Sequence, residues 1–173
     1  MSFLQPSDPF WPTRARTEIE VLSQNLDGLI AVHHIGSTSV PGLPAKPILD
    51  LMPVFQDTTA LASSKSGFEK LGFEWMDEYG LPGRAYARKS NPETGQRIVH
   101  AHGYVVGHPD IARHLAFRDA LRANAPLKAA YTSVKAACAA RHPEGGAAYS
   151  ACKGGWINKA ENRALARIQE TSK

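Results

Sequence analysis

One stretch constrains the fold of this chain more than any other: "HHIGSTSVPGLPAKPILDL", from His33 to Leu51. It joins two strand-like runs through glycine, hydroxyl and proline residues, and the second run holds an acid among apolar neighbours. Alternation puts Ile30, Val32 and His34 on one face of a strand over 30–35. It puts Asp50 and Met52 on one face of a strand over 47–55, with Leu49 and Leu51 on the other. A carboxylate flanked by Ile48, Leu49 and Leu51 needs a partner, because desolvating an unpaired charge is costly. Asp50 reads either as a ligand for a hard cation such as Mg²⁺ or as an ion-pair partner of Lys46 or an arginine. The two readings oppose each other for Asp50→Asn in the metal-free protein. The first leaves it as stable or more so, and the second destabilises it.

The joining segment has its own chemistry. Gly36 lets backbone approach a ligand closely. Ser37, Thr38 and Ser39 can donate to phosphate oxygens, the N–H groups at the start of a turn add to such an anion site, and Lys46 adds a cation. The blander reading is a turn made of turn-forming residues. The segment matches neither the P-loop nor the dinucleotide fingerprint.

Ile19, Leu22, Leu26 and Leu29 recur at helical spacing after Pro12. A second helix is expected over 58–71, ended near Gly72, followed by an extended stretch over 72–76. A turn over 80–84 leads into a strand over 85–89, and "NPETGQ" (91–96) reads as a hairpin turn into a strand over 97–106. On that strand Ile98, His100, His102 and Tyr104 face one way. Three helices follow: 110–124 with Asp110 as candidate N-cap, 126–141 opened by a proline, and 147–169 interrupted or kinked at Gly154-Gly155. The pattern is α+β, a mixed sheet followed by a helical C-terminal third. With 173 residues it predicts one domain over 1–173.

Net charge is +4, with lysines and arginines scattered along the chain. That suits an anionic small-molecule ligand and gives no stripe for specific nucleic-acid binding. No apolar run approaches the ~20 residues of a membrane span, and no basic segment followed by an apolar run opens the chain, so a cytoplasmic location is expected. Cys138 and Cys152 read as buried thiols rather than a disulfide or a metal pair. The ends at 1–5 and near Lys173 are expected to fray. Oligomeric state is not encoded in these patterns.

Two imidazoles at i, i+2 on one strand face, His100 and His102, can share a metal or divide acid/base work, or they line a polar, solvated sheet face. Arg118 with Arg122, Tyr131 with Lys135, and Tyr149 with Lys153 each stand one helical turn apart. Such pairs form either a solvated helix face or, if they converge, an anion site.

"HIGSTSVPGLPAKPILDL", "LPGRAYARK", "HAHGY", "HLAFRDALR", "YTSVK" and "YSACK", in that order from about Trp11 to Ile157, make the chain resemble the GrpB family, placed by fold among the nucleotidyltransferases. The resemblance implies a nucleotidyltransferase-like mixed sheet flanked by helices. Gly36-Ser37 would hold a nucleotide triphosphate and Asp50 a divalent metal, Mg²⁺, Mn²⁺ or Zn²⁺, with His100 and His102 as further ligands or as acid/base. Arg84, Arg118, Tyr131, Lys135 and Lys153, which stand in these motifs, join Gly36, Ser37, Thr38, Ser39 and Lys46 as the expected ligand-binding set. The superfamily places a second acid two residues after the first. Here that residue is Met52, a poor ligand for Mg²⁺. Two functions follow as expectations: an enzyme, possible as a transferase, acting on a nucleotide or other phosphorylated or acidic small molecule, and a non-catalytic module that binds one.

Overall fold

The computed structural model of the protein describes residues 2–171. Helix α1 (Trp11–Asn25) leads into strand β1 (Leu29–Ile35). A 3-10 turn (Ser37–Ser39) and an irregular proline-rich segment precede β2 (Leu49–Phe55). Helix α2 (Thr58–Lys70) and strands β3 (Phe73–Trp75), β4 (Ala85–Ser90) and β5 (Arg97–Val105) follow, then α3 (Pro109–Ala123), α4 (Ala125–Arg141) and α5 (Gly146–Thr171). The five strands form one mixed sheet in the order β1-β2-β5-β4-β3, with β2 and β5 parallel and the other pairs antiparallel.

The alternation of β2 and β5 divides the core. One face carries Leu49, Leu51, Phe55, Val99 and Ala101, and buries them against Trp11, Ala15, Leu22 and Leu26 of α1 and its cap and Phe68 of α2. On the other face Met52 and Tyr104 pack with Ile35 beneath Ile111 and Leu115 of α3. Asp50, His100 and His102 share the parity of that second face, where the His102 ring lies 6.0 Å from that of His114 on α3. A further cluster joins Val40 and Leu43 of the irregular segment to Leu121 of α3, Tyr131 of α4 and Trp156 of α5. The three C-terminal helices therefore roof the segment that follows β1.

Four sequence expectations need correction. Leu29 opens β1 and does not close α1; Gly28, at φ +69°, turns the chain between them. The N-cap of α3 is His108, whose ring nitrogen accepts from the Asp110 N–H, with Pro109 opening the helix. Helix α5 runs without interruption through Gly154-Gly155. Cys138 and Cys152 are joined in a disulfide that ties α4 to α5. Fraying at Met1 and Lys173 falls outside the described residues, but Gln5 is held by a pair of backbone hydrogen bonds to Ala45, so order extends into the expected loose end. Among the described residues no helix is long and apolar enough to cross a membrane.

A bridge across a loop of this size limits the unfolded chain. Removing it in the double variant Cys138→Ser, Cys152→Ser is expected to cost about 3 kcal/mol of stability. Chemical denaturation of wild type and variant measures this, and coincident transitions would contradict it.

Candidate functional site

The site is built where β2 and β5 lie side by side. Parallel pairing sets Asp50 opposite His100, and the two-residue period brings His102 onto the same face. Asp50 Oδ1 lies 3.4 Å from His100 Nδ1 and 3.3 Å from His102 Nε2. One donor atom from each of the three falls within 4.8 Å of the others. Burial pushes the Asp50 carboxyl up, but its hydrogen bonds to the two rings prevail and hold it below the usual carboxylate range. No ion pair links Asp50 to a lysine or arginine among the described residues. The Lys46 ammonium lies instead over the Phe3 and Tyr149 rings, at 4.6 and 5.0 Å.

Gly36 makes the loop fit. It adopts φ +69°, and a Cβ there would sit 2.4 Å from Asp50 Oδ2. Only a glycine lets backbone lie against this carboxylate. Ser39 Oγ donates to the Gly36 carbonyl at 2.6 Å, and Thr38 Oγ1 is 2.9 Å from His34 Nε2, so these buried hydroxyls are engaged within the loop. Cationic side chains from the roof hold carbonyls of this segment and of the end of β1. Arg118 donates to His34 O, Arg122 to Ser39 O, Lys128 to Pro41 O and Lys135 to Pro44 O.

Two cavities open around Asp50. Both are lined by Ser37, Asp50, Ser150 and Lys153. The first, about 180 Å³, adds Thr38, Lys46, His100, Lys135 and Tyr149. Its three lysines form no ion pair with a carboxylate among the described residues. Burial, with Lys153 nearby, lowers Lys135 to about 7, and burial, with Lys46 nearby, lowers Lys153 to about 8. The Lys153 ammonium sits 4.3 Å over the Tyr149 ring, whose buried hydroxyl has no hydrogen-bond partner among the described residues. The second cavity, about 420 Å³, adds His102, His114, Phe117, Arg118, Leu121, Tyr131, Ile157 and Glu161.

The expected residues thus divide. Ser37 and Asp50 serve both cavities, while His100 lines only the first and His102 only the second. Arg118 reaches the second while also chelating Asp119. Tyr131 is buried and stacked on Trp156 at 5.0 Å. Ser39 lines neither cavity, nor does Arg84. The Arg84 guanidinium is used by the Glu78 and Tyr79 carbonyls and lies 4.7 Å over Tyr86, whose ring backs His100 and His102. Met52 is 0% exposed, so the position of a second acid is filled by core packing. Residues that sequence reasoning passed over are His114, Ser150 and Glu161. Ser150 and His114 stand inside the motifs "YSACK" and "HLAFRDALR", which was the available signal.

The donor set of one carboxylate and two imidazoles fits a borderline divalent ion such as Zn²⁺, and after it Mn²⁺, better than Mg²⁺. His102 Nδ1 is buried without a partner among the described residues. A bare lone pair is tolerated there better than an unpaired N–H, so the neutral ring keeps its proton on Nε2, facing Asp50. Ligation through Nε2 would move that proton to Nδ1, which lacks the acceptor that usually orients a ligating histidine.

Lys135 supplies a test of the site's electrostatics, since it is 2% exposed and its ordinary value is 10.5. Between pH 7 and 10 the unfolded chain carries a proton on this lysine that the folded chain lacks. Stability from this group therefore rises with pH across that window. Lys135→Met is expected to flatten the rise in melting temperature between pH 7 and 10, leaving the smaller contribution of Lys153. A variant whose rise equals that of wild type would contradict the burial argument.

Known proteins share this architecture. The sequence profile of the family described as "GrpB protein" matches residues 2–163. The UPF0157 protein YqkA of Bacillus subtilis is 38% identical over 136 residues, which cover 79% of this chain and 39% of that protein. A UPF0157 protein of Pseudomonas aeruginosa is 34% identical over 166 residues, covering 93% of this chain and 66% of its own length. The chain thus spans about two-fifths and two-thirds of these curated relatives. The crystal structure of the conserved protein GrpB from Enterococcus faecalis superposes with a TM-score of 0.88 at 36% identity, over 96% of this chain and 99% of that one. The Cid1 poly(U) polymerase in its MgGTP-bound form aligns with a TM-score of 0.57 at 16% identity, over 86% of this chain and 50% of that chain, a likeness of fold alone. A profile match over nearly the whole length, on a nucleotidyltransferase-like α+β fold, means that this chain belongs to the GrpB family.

Proposed function

We propose that the cleft binds a nucleotide or another phosphorylated small molecule together with a divalent metal, and that the protein acts on that ligand as an enzyme. The observation that carries this reading is the meeting of two incomplete sets of charge at Asp50. Three lysines without carboxylate partners line one wall, and a carboxylate–imidazole cluster within coordinating reach forms the next. Gathering ammonium groups in a partly desolvated cavity costs free energy that a bound anion returns. Lys46, Lys135 and Lys153 would take the phosphate oxygens, with the Ser37 hydroxyl donating beside them. Asp50, His100 and His102 would hold the metal, which when bound supplies Lewis-acid polarisation of a phosphoryl oxygen. Gly36 keeps backbone close to that point, and Tyr86 closes it from behind.

Met52 favours a second reading, binding without transfer. Two-metal phosphoryl chemistry needs several hard oxygens, and here a single carboxylate serves the cluster. Turnover separates the two readings: pyrophosphate or phosphate release from nucleoside triphosphates with Mn²⁺ supports the enzyme, and saturable binding with no release supports the module.

Thermal unfolding tests the binding itself. Mn²⁺ or Zn²⁺ at about 100 times its dissociation constant is expected to stabilise the wild type by about 2.7 kcal/mol. Asp50→Asn is expected to lose that response while its metal-free stability stays within about 1 kcal/mol of wild type, because Asp50 meets no lysine or arginine among the described residues and an asparagine oxygen can still accept from the two rings. Nucleotide affinity is expected to fall as pH rises through 8, where Lys153 loses its proton. An Asp50→Asn variant that responds to metal like wild type would rule out this ligand set.

A further inference from the structure

We propose that the second cavity is a binding site for a small amine-bearing molecule, whose ammonium group meets Glu161 and whose apolar body lies over Phe117, Leu121 and Ile157. This rests on the reading of the lysine-lined cavity as the anion site, since both cavities meet at Asp50.

The argument begins on α5. Lys153, Ile157 and Glu161 line the cavity at i, i+4 and i+8, one face of one helix. At 1.5 Å per residue the stripe runs about 12 Å along the axis. It passes from a cation beside the anion cavity, over an apolar residue, to a carboxylate. Helix α3 faces it with a matching row, His114, Phe117, Arg118 and Leu121. The cavity is therefore polar at its ends and apolar in its middle.

Charge balance identifies what the far end takes. Glu161 is only 5% exposed, and both its oxygens accept from Arg113 Nη1 at 2.9 Å. The same guanidinium donates through Nε to Asp110 at 2.9 Å. Among the described residues two carboxylates thus share one cation: Asp110 is 25% exposed to water, while Glu161 is buried with its charge only partly offset. The other polar neighbours do not offset it. Tyr104 donates its hydroxyl to Asp110, and His114 Nε2 can only accept from Arg113 Nη2, 3.4 Å away, so its ring adds no cation. Arg118, on the α3 wall, spends its donors on Asp119 and on the His34 carbonyl. A carboxylate keeps further acceptor positions after two hydrogen bonds. An ammonium group of the ligand fills them and restores neutrality, and it sits at the end of the stripe away from Lys153. A ligand carboxylate would meet the same end as a repulsive charge. The volume, about 420 Å³, and the apolar middle suit an arylalkyl or alkyl amine rather than a sugar phosphate.

The test uses the full protein with three probes: phenethylamine, phenylacetate of the same shape and opposite charge, and inorganic triphosphate for the lysine-lined cavity. Titration followed by calorimetry is expected to show phenethylamine binding and no phenylacetate binding. Glu161→Gln is expected to weaken the amine by about 10- to 100-fold, the loss of a charge-assisted hydrogen bond, with triphosphate affinity unchanged. Because Glu161→Gln also disturbs Arg113, Ile157→Phe provides a second route: it fills the middle of the cavity and is expected to abolish amine binding while triphosphate still binds. Lys46→Met, on the other cavity alone, is expected to do the reverse. Phenylacetate binding as well as the amine, or amine binding unaffected by both Glu161→Gln and Ile157→Phe, overturns the proposal. Triphosphate binding without amine binding overturns it and spares the anion site. Amine binding without triphosphate binding supports it and overturns the anion site instead.

Discussion

Everything in this cleft depends on backbone lying against a carboxylate. Gly36 brings the chain so near Asp50 that a single added carbon would collide with Oδ2. The segment after it is irregular, and its carbonyls have no strand or long helix to satisfy them. Arg122, Lys128 and Lys135 do so from α3 and α4, and Arg118 holds the His34 carbonyl at the end of β1. The same cations that pin the loop leave an electropositive roof over the acid. Structure and chemistry are coupled here: the helices that secure the Gly-Ser loop also present Lys135, Lys153 and the second cavity to Asp50.

The strands of the site were legible in the sequence, because a period of two is strict. Alternation puts Asp50 with Met52 and His100 with His102, and the register that sets Asp50 opposite His100 brings the two pairs onto one face. The expectation of a mixed sheet with a helical C-terminal third holds for the same reason, and the fold neighbours share it. The functional consequence of Met52 also follows from pattern, since a thioether packed under Ile111 and Leu115 is core and leaves one carboxylate for the cluster.

The helices were less legible. A helical residue gains its meaning from the helix it faces, and one-turn spacing does not reveal that. Glu161 looks like any surface acid until α3 brings Arg113 to it. Arg84 looks like a phosphate ligand until the turn over 78–84 folds back and takes its donors. Cys138 and Cys152 sit in separate helices, and only the antiparallel packing of α4 on α5 brings them into bonding range. Gly154-Gly155 lowers helix propensity by about 1 kcal/mol per residue relative to alanine, yet neighbours on the same helix, Tyr149, Trp156 and Ala160, are held by packing that outweighs it.

The central claim is that Asp50, His100 and His102 form one coordinating centre beside a phosphate cavity. Anomalous scattering from crystals grown with Mn²⁺ and a non-hydrolysable nucleoside triphosphate addresses it directly. The predicted result is a metal peak within bonding distance of Asp50 Oδ1, His100 Nδ1 and His102 Nε2, with phosphate density among Lys46, Lys135 and Lys153. A metal bound elsewhere, or a nucleotide on another face with all three side chains unligated, would contradict it.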